Sequence, residues 1–169
     1  MTKDQMYEIR KGLEKGLTKR QVSLYAKRIF KSVQMEEIRL GFQEGLSYRA
    51  VELYAKPEFS WKQMEQIRLG LENELSINQV RIYANHEFNH FQMMEIRLGL
   101  QRGLGMKKVR EYANPKLTSP QMTQIRQGFE NGLSIKQVRT YAIPENPYYK
   151  MAELRQELEK QKILKGFEV

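Results

Sequence analysis

Gln63-Met64-Glu65-Gln66-Ile67-Arg68-Leu69-Gly70-Leu71, then Leu75-Ser76-Ile77-Asn78-Gln79-Val80, then Tyr83-Ala84, form one short run with two helical signals. Met64, Ile67 and Leu71 are spaced by three and four residues, the interval that puts side chains on one face of an α-helix. Ser76, three residues before Gln79, restarts the pattern as a helix cap followed by its return partner. The same run comes back every 29 residues: Gln5-Met6, Gln34-Met35, Gln92-Met93 and Gln121-Met122 open its other full copies. Five units therefore fill 5–33, 34–62, 63–91, 92–120 and 121–149, and Met151 opens a sixth that is not completed. A fixed period of this size predicts a stacked array in which each unit contacts only its neighbours.

Slots are numbered from the glutamine of each unit. The first helix of a unit, helix A, carries Met at slot 2, Ile at slot 5 and Leu or Phe at slot 9. Ser60, Asn89 and Thr118 stand three residues before Gln63, Gln92 and Gln121, as in a capping box. Phe59, Phe88 and Leu117 precede those caps and face Met64, Met93 and Met122 as a hydrophobic staple. Gly16, Gly45, Gly103 and Gly132 mark where helix A ends, with Glu74 the exception. Helix B starts at Thr18, Ser47, Ser76, Gly105 and Ser134, buries the slot-18 valines and the Tyr-Ala pairs, and is expected to close at Pro57, Pro115 and Pro144. The expected lengths are about three and a half turns for helix A and about two and a half for helix B. Slot 8 is glycine in all five units, Gly12, Gly41, Gly70, Gly99 and Gly128. A mid-helix glycine costs roughly 1 kcal/mol against alanine, so close approach of a neighbouring helix is expected there, with a ligand near the bare backbone as the alternative.

The fold expectation is an all-α chain, a superhelical α-solenoid of five two-helix repeats closed by a capping helix at about 150–165, as one repeat domain over 1–169. In that last segment Glu157 and Gln161 replace the glycines, so the helix can run longer. Thr2 caps the first helix, no leader is expected, and no apolar run approaches a membrane span. The chain has no cysteine, which removes disulfides and thiolate chemistry and fits a reducing, cytoplasmic setting. A monomer without cofactor is expected.

The net charge is +9, and slots 16, 19 and 23 hold most of it. Arg20, Lys27, Arg49, Lys56, Arg81, Lys107, Arg110, Lys136 and Arg139 are nine cations there against the single anion Glu52. Their spacing of three and four predicts an outward stripe on helix B that stacking aligns into a basic band, suited to the phosphates of DNA or RNA. The bland alternative is a solvated face that keeps the array soluble. A second ladder, Arg10, Arg39, Arg68, Arg97, Arg126 and Arg155 at slot 6, has Glu or Gln four residues on and reads as structural. Leu40, Leu69 and Leu98 at slot 7 are either packing between units or an apolar strip for a protein partner, the alternative function being an interaction scaffold, adaptor or inhibitor that meets an acidic or apolar-groove partner.

His86-Glu87-Phe88-Asn89-His90 spells the H-E-x-x-H zinc pattern, which needs both imidazoles on one continuous helix. Here the five residues span the linker into the next helix A, so no zinc site is expected. No phosphate-cradling glycine loop occurs and Asp4 is the only aspartate, so no catalytic constellation can be assembled and a non-enzymatic role is expected.

The run from Glu65 to Leu71 and from Leu75 to Val80 resembles the first two helices of a resolvase-type helix-turn-helix, and Gly128, Gly132 and Leu133 match that family's places in the fifth unit. Arg81 and Arg139 stand where that family has a small residue, and no third helix follows. The whole unit is similar to tandem arrays of uncharacterised proteins from Gram-positive mobile elements and phages. The first likeness implies a local helix pair and a DNA role, the second an accessory role in a mobile element.

Overall fold

The structure, a computed structural model, describes the backbone of residues 1–166 and the side chains of residues 1–164. Among these residues every regular element is an α-helix. They group into two compact units, Met1–His90 and the residues from Phe91 onward. The first unit holds α1 (Lys3–Glu14), α2 (Lys19–Tyr25), α3 (Ser32–Gln43), α4 (Tyr48–Glu52), α5 (Trp61–Glu72) and α6 (Ile77–Val80). The second holds α7 (His90–Gln101), whose first residue closes the first unit, then α8 (Met106–Arg110), α9 (Ser119–Glu130), α10 (Ile135–Val138) and α11 (Tyr148–Gly166). Within the first unit α1 packs on α3 and α3 on α5; within the second, α9 packs on α11. The helical-repeat reading of the sequence therefore holds at the level of helices and their neighbours.

Each helix A is 12 residues long and starts where its cap predicts. Ser60 Oγ accepts from the Gln63 N–H at 3.4 Å, and Gln63 Oε1 accepts from the Ser60 N–H at 2.8 Å. Thr2 with Gln5 and Thr118 with Gln121 do the same. Lys31 has no oxygen to offer, so only the return bond from its N–H to Gln34 Oε1, 2.8 Å, remains in the second repeat.

The same glutamines have a second task that capping does not reveal. Gln63 Nε2 donates to the carbonyls of His86 and Phe88, at 3.1 and 2.7 Å. Gln5 reaches Arg28 and Phe30, Gln34 reaches Pro57 and Phe59, Gln92 reaches Pro115 and Leu117, and Gln121 reaches Pro144 and Asn146. One amide thus closes the cap of its own helix and holds the loop that delivers the chain to the next cap. All five glutamines are buried, and their bonds to the Phe30, Phe59, Phe88 and Leu117 carbonyls are buried with them, so these satisfy backbone groups held away from water.

Helix B is shorter than expected, with 7, 5, 4, 5 and 4 residues in the five repeats. Proline does not end it. The chain tightens to i→i+3 bonds, as in Leu53 N–H to Ala50 O at 3.2 Å and Tyr54 N–H to Val51 O at 3.1 Å. It then turns on the slot-22 alanine: Lys56 N–H bonds Tyr54 O at 2.7 Å, and Asn85, Asn114 and Ile143 repeat the bond. Ala26, at φ −70° and ψ 55°, has the geometry of an inverse γ-turn. The prolines follow in the linker.

The slot-21 tyrosine, at or just past the end of helix B, reaches back across helix A. Tyr25, Tyr54, Tyr83, Tyr112 and Tyr141 are fully buried, and their hydroxyls donate to the slot-4 carbonyls of the same repeat at 3.2–3.4 Å. Each hydroxyl lies over the slot-8 glycine, where a Cβ would overlap it. The glycines are therefore kept by a tyrosine tip from the partner helix of their own hairpin, and the space beside them is filled by protein.

Within each compact unit slot-6 arginines tie a repeat to the one before it. Arg39 Nε bonds Glu8 at 2.7 Å, Arg68 bonds Glu37 at 2.9 Å and Arg126 bonds Glu95 at 2.9 Å, each partner lying at slot 4 of the preceding repeat. Arg155 takes Gln124 Oε1 at 3.2 Å in the same place. The expected partners four residues on are also used, as in Arg68 with Glu72 at 2.8 Å and Arg126 with Glu130 at 2.7 Å. Burial pushes the Glu37 carboxyl above the usual carboxylate range, and the Arg68 hydrogen bond pulls it down without cancelling that rise.

At the other end, α11 keeps the helix A register, with Met151 buried against the preceding repeat. Lys162 Nζ donates to the carbonyls of Asn131 and Gly132, at 3.2 and 3.0 Å, and so covers the C-terminus of α9. His86, Glu87, Phe88 and Asn89 lie in the linker before α7, and only His90 enters that helix. The two imidazoles of the H-E-x-x-H run therefore do not share a helix.

Candidate nucleic-acid interface

All nine cations of the stripe are exposed. In the first unit Arg20 lies on α2, Arg49 on α4, and Arg81 is the C-cap of α6. Lys27 and Lys56 lie beyond the ends of α2 and α4, on the residue that closes each γ-turn. In the second unit Lys107 and Arg110 lie on α8, Lys136 on α10, and Arg139 is the C-cap of α10. Spacing alone puts the slot-23 lysines on a helix face. The early end of helix B puts them on the linker shoulder instead, with their backbone N–H groups already bonded to tyrosine carbonyls.

Two of the nine are engaged by protein. Arg20 stacks on the Tyr48 ring of the next repeat, 4.5 Å from guanidinium carbon to ring centroid. Stacking holds the guanidinium plane while its edge keeps its N–H donors for an anion. Arg139 is paired with Glu111 of the preceding repeat through two hydrogen bonds of 2.8 Å, and these raise its affinity for its proton. Among the described residues Arg139 is the one member of the stripe with a carboxylate partner. Neither Tyr48 nor Glu111 stands out in the sequence. Tyr48 sits beside the stripe at slot 15 and Glu111 at slot 20, and only the contact between successive repeats shows that they reach it.

Basic side chains without a nearby anion can exchange bound counterions for phosphates, which makes an exposed set of this kind an electrostatic footprint for a polyanion. The slot-7 leucines Leu40, Leu69 and Leu98 are half-buried, intermediate between core and open surface. The slot-6 arginines, by contrast, are taken up by carboxylates and amides from Arg39 onward and have little to offer a ligand. No helix among the described residues is long and apolar enough to cross a membrane. Compared with known proteins, the chain matches no family model, no curated protein and no solved structure.

Proposed function

We propose that the chain is a non-enzymatic nucleic-acid-binding repeat protein that contacts phosphates through the slot-16, slot-19 and slot-23 cations. The observation that carries this reading is the exposure of all nine, with Arg139 alone paired to a carboxylate among the described residues. The slot-6 arginines Arg39, Arg68, Arg126 and Arg155, by contrast, are spent internally on ion pairs between and within helices A and α11. Binding would draw its free energy from counterion release and would read backbone more than base. Engagement of about five phosphates gives a slope of log affinity against log salt of about −4.5 on duplex DNA.

The test is fluorescence anisotropy with labelled duplex DNA, single-stranded DNA and RNA over a salt series. Arg49→Glu, Arg81→Glu and Arg110→Glu together should abolish binding. Arg139 is a poorer choice for reversal because Glu111 neutralises it. No binding at low salt, or binding unmoved by the triple variant, overturns the proposal. Salt-insensitive capture of a protein that is lost on Leu69→Ser would favour the scaffold reading.

A further inference from the structure

Among the described residues no repeat packs on the outer side of α1, and that helix shows what the others bury. Met6 is 53 % exposed and Leu13 is 50 % exposed, whereas Met35, Met64 and Met93 at the Met6 slot are fully buried and Phe42, Leu71 and Leu100 at the Leu13 slot are nearly so. Tyr7 is exposed beside them. The Arg10 side chain is 70 % exposed and has only Glu14 of its own helix, at 3.8 Å. Every other slot-6 arginine whose bond to the preceding repeat is described finds a slot-4 acceptor there.

The outer side of α11 carries the complement of that face. Slot 4 of the sixth repeat is Glu153, which is exposed and forms no ion pair among the described residues. A second link between repeats runs from slot 11 to slot 10 of the next: Arg102 Nη1 to Glu130 at 3.1 Å, and Asn131 Nδ2 to Glu159 at 2.9 Å. Slot 11 of α11 is Lys160 and slot 10 of α1 is Glu14, both exposed. One register therefore matches both pairs, Arg10 with Glu153 and Glu14 with Lys160, with the sign of each charge correct.

We propose that α1 of one copy of this chain stacks on α11 of a second copy, in the register that successive repeats use within the chain. The monomer expected from the sequence is then the dilute form of a head-to-tail assembly. An interface of this kind joins two different surfaces, so each added copy presents a fresh end.

The test is analytical ultracentrifugation of the full chain up to about 1 mM, where contacts as weak as millimolar become visible. Arg10→Glu and Glu153→Arg should each weaken self-association about tenfold, since each sets like charges against one another. Mixing the two variants should restore association. At one kind of junction the glutamate introduced at position 10 then meets the arginine introduced at position 153, and at the other the native Arg10 meets the native Glu153. Both residues are exposed in the single chain, so melting of dilute samples should be unchanged, and that melt serves as the control for folding. A chain that stays monomeric at all concentrations overturns the proposal. So does association that ignores Glu153→Arg, which would point to α1 meeting α1 of the second copy, and so does failure of the mixture to recover.

Discussion

The Tyr54 hydroxyl donates to the Glu37 carbonyl at 3.2 Å, directly over the bare Cα of Gly41. The bond joins the two helices of a hairpin only because slot 8 has no side chain. Gly41→Ala gains helix propensity, about 1 kcal/mol, but must displace the hydroxyl and crowd Cζ, which would stand 3.2 Å from the new carbon. A net loss of about 2 kcal/mol is expected from overpacking and the lost hydrogen bond. Tyr54→Phe alone should cost about 1 kcal/mol, yet in the Gly41→Ala background it should recover stability. Urea unfolding of the four chains in that cycle checks the sign of the coupling.

Arg68→Met leaves Glu37 buried without its cation. A loss of about 2–4 kcal/mol is expected at neutral pH, near the low end for breaking a buried pair because Arg68 keeps some exposure. Glu37 already lies above the ordinary carboxylate range in the folded chain. Between its unfolded and folded values the folded state holds more proton, so its contribution to stability falls as pH rises and grows as pH drops. The variant should widen that window and regain stability on acidification more than the wild type does. Glu37→Gln in the Arg68→Met background should remove the extra pH dependence.

Gln63→Glu separates capping from loop anchoring. In an ordinary capping box glutamate serves as well as glutamine. Here a carboxylate would face the His86 and Phe88 carbonyls that now accept from Nε2. Gln63→Glu should therefore cost at least as much as Gln63→Ala at neutral pH, about 1–3 kcal/mol. Acidification should relieve it, because the protonated acid can donate one bond. Chemical unfolding of both variants at neutral and acidic pH is the measurement.

Glu74 has φ 64°, the left-handed conformation that Gly16, Gly45, Gly103 and Gly132 supply in the other repeats. Glu74→Gly should raise stability by about 1 kcal/mol, and Gly45→Ala should lower it by a similar amount. Nothing lies within 4 Å of a Cβ built at Gly45, so the effect there is one of backbone conformation alone. Thermal melting of both variants is the measurement.

Arg110 and Arg139 occupy the same slot, and only Arg139 has a carboxylate partner, Glu111. Arg110→Gln should reduce the salt slope of DNA binding by about 0.9 for the phosphate it gives up. Arg139→Gln should change it less, and Glu111→Gln should strengthen binding. Anisotropy titrations at several salt concentrations distinguish the three.

Helix starts, the buried Met-Ile-Leu face, the exceptional helix end at residue 74 and the long final helix are all legible in the sequence. Each depends on residues within a few positions of one another. The partners of Arg39, Arg68 and Arg126 are only half legible. The acceptor four residues on follows from helical pitch, but Glu8, Glu37 and Glu95 lie 31 residues back, and a period shows which positions are equivalent without showing which touch. The length of helix B is overestimated from sequence for a related reason. Its apolar spacing continues through Tyr54 and Ala55, but the backbone tightens to i→i+3 bonds before the tyrosine and turns at the alanine, and neither change alters that spacing. Exposure of the nine cations follows from spacing; the pairing of Arg139 does not.

The slot-to-slot bonds between repeats have a consequence for how such a chain can change length. Glu8 and Glu37 are interchangeable acceptors, as are the loop carbonyls held by Gln5 and Gln34. Excision of residues 34–62 would bring Arg68 to Glu8 and Met64 onto the surface that Met35 now covers, each in an equivalent slot, at the cost of the Arg20 stack on Tyr48. Gene recombination that is out of step by whole units would thus yield a foldable product, and one that is out of step by a fraction of a unit would not.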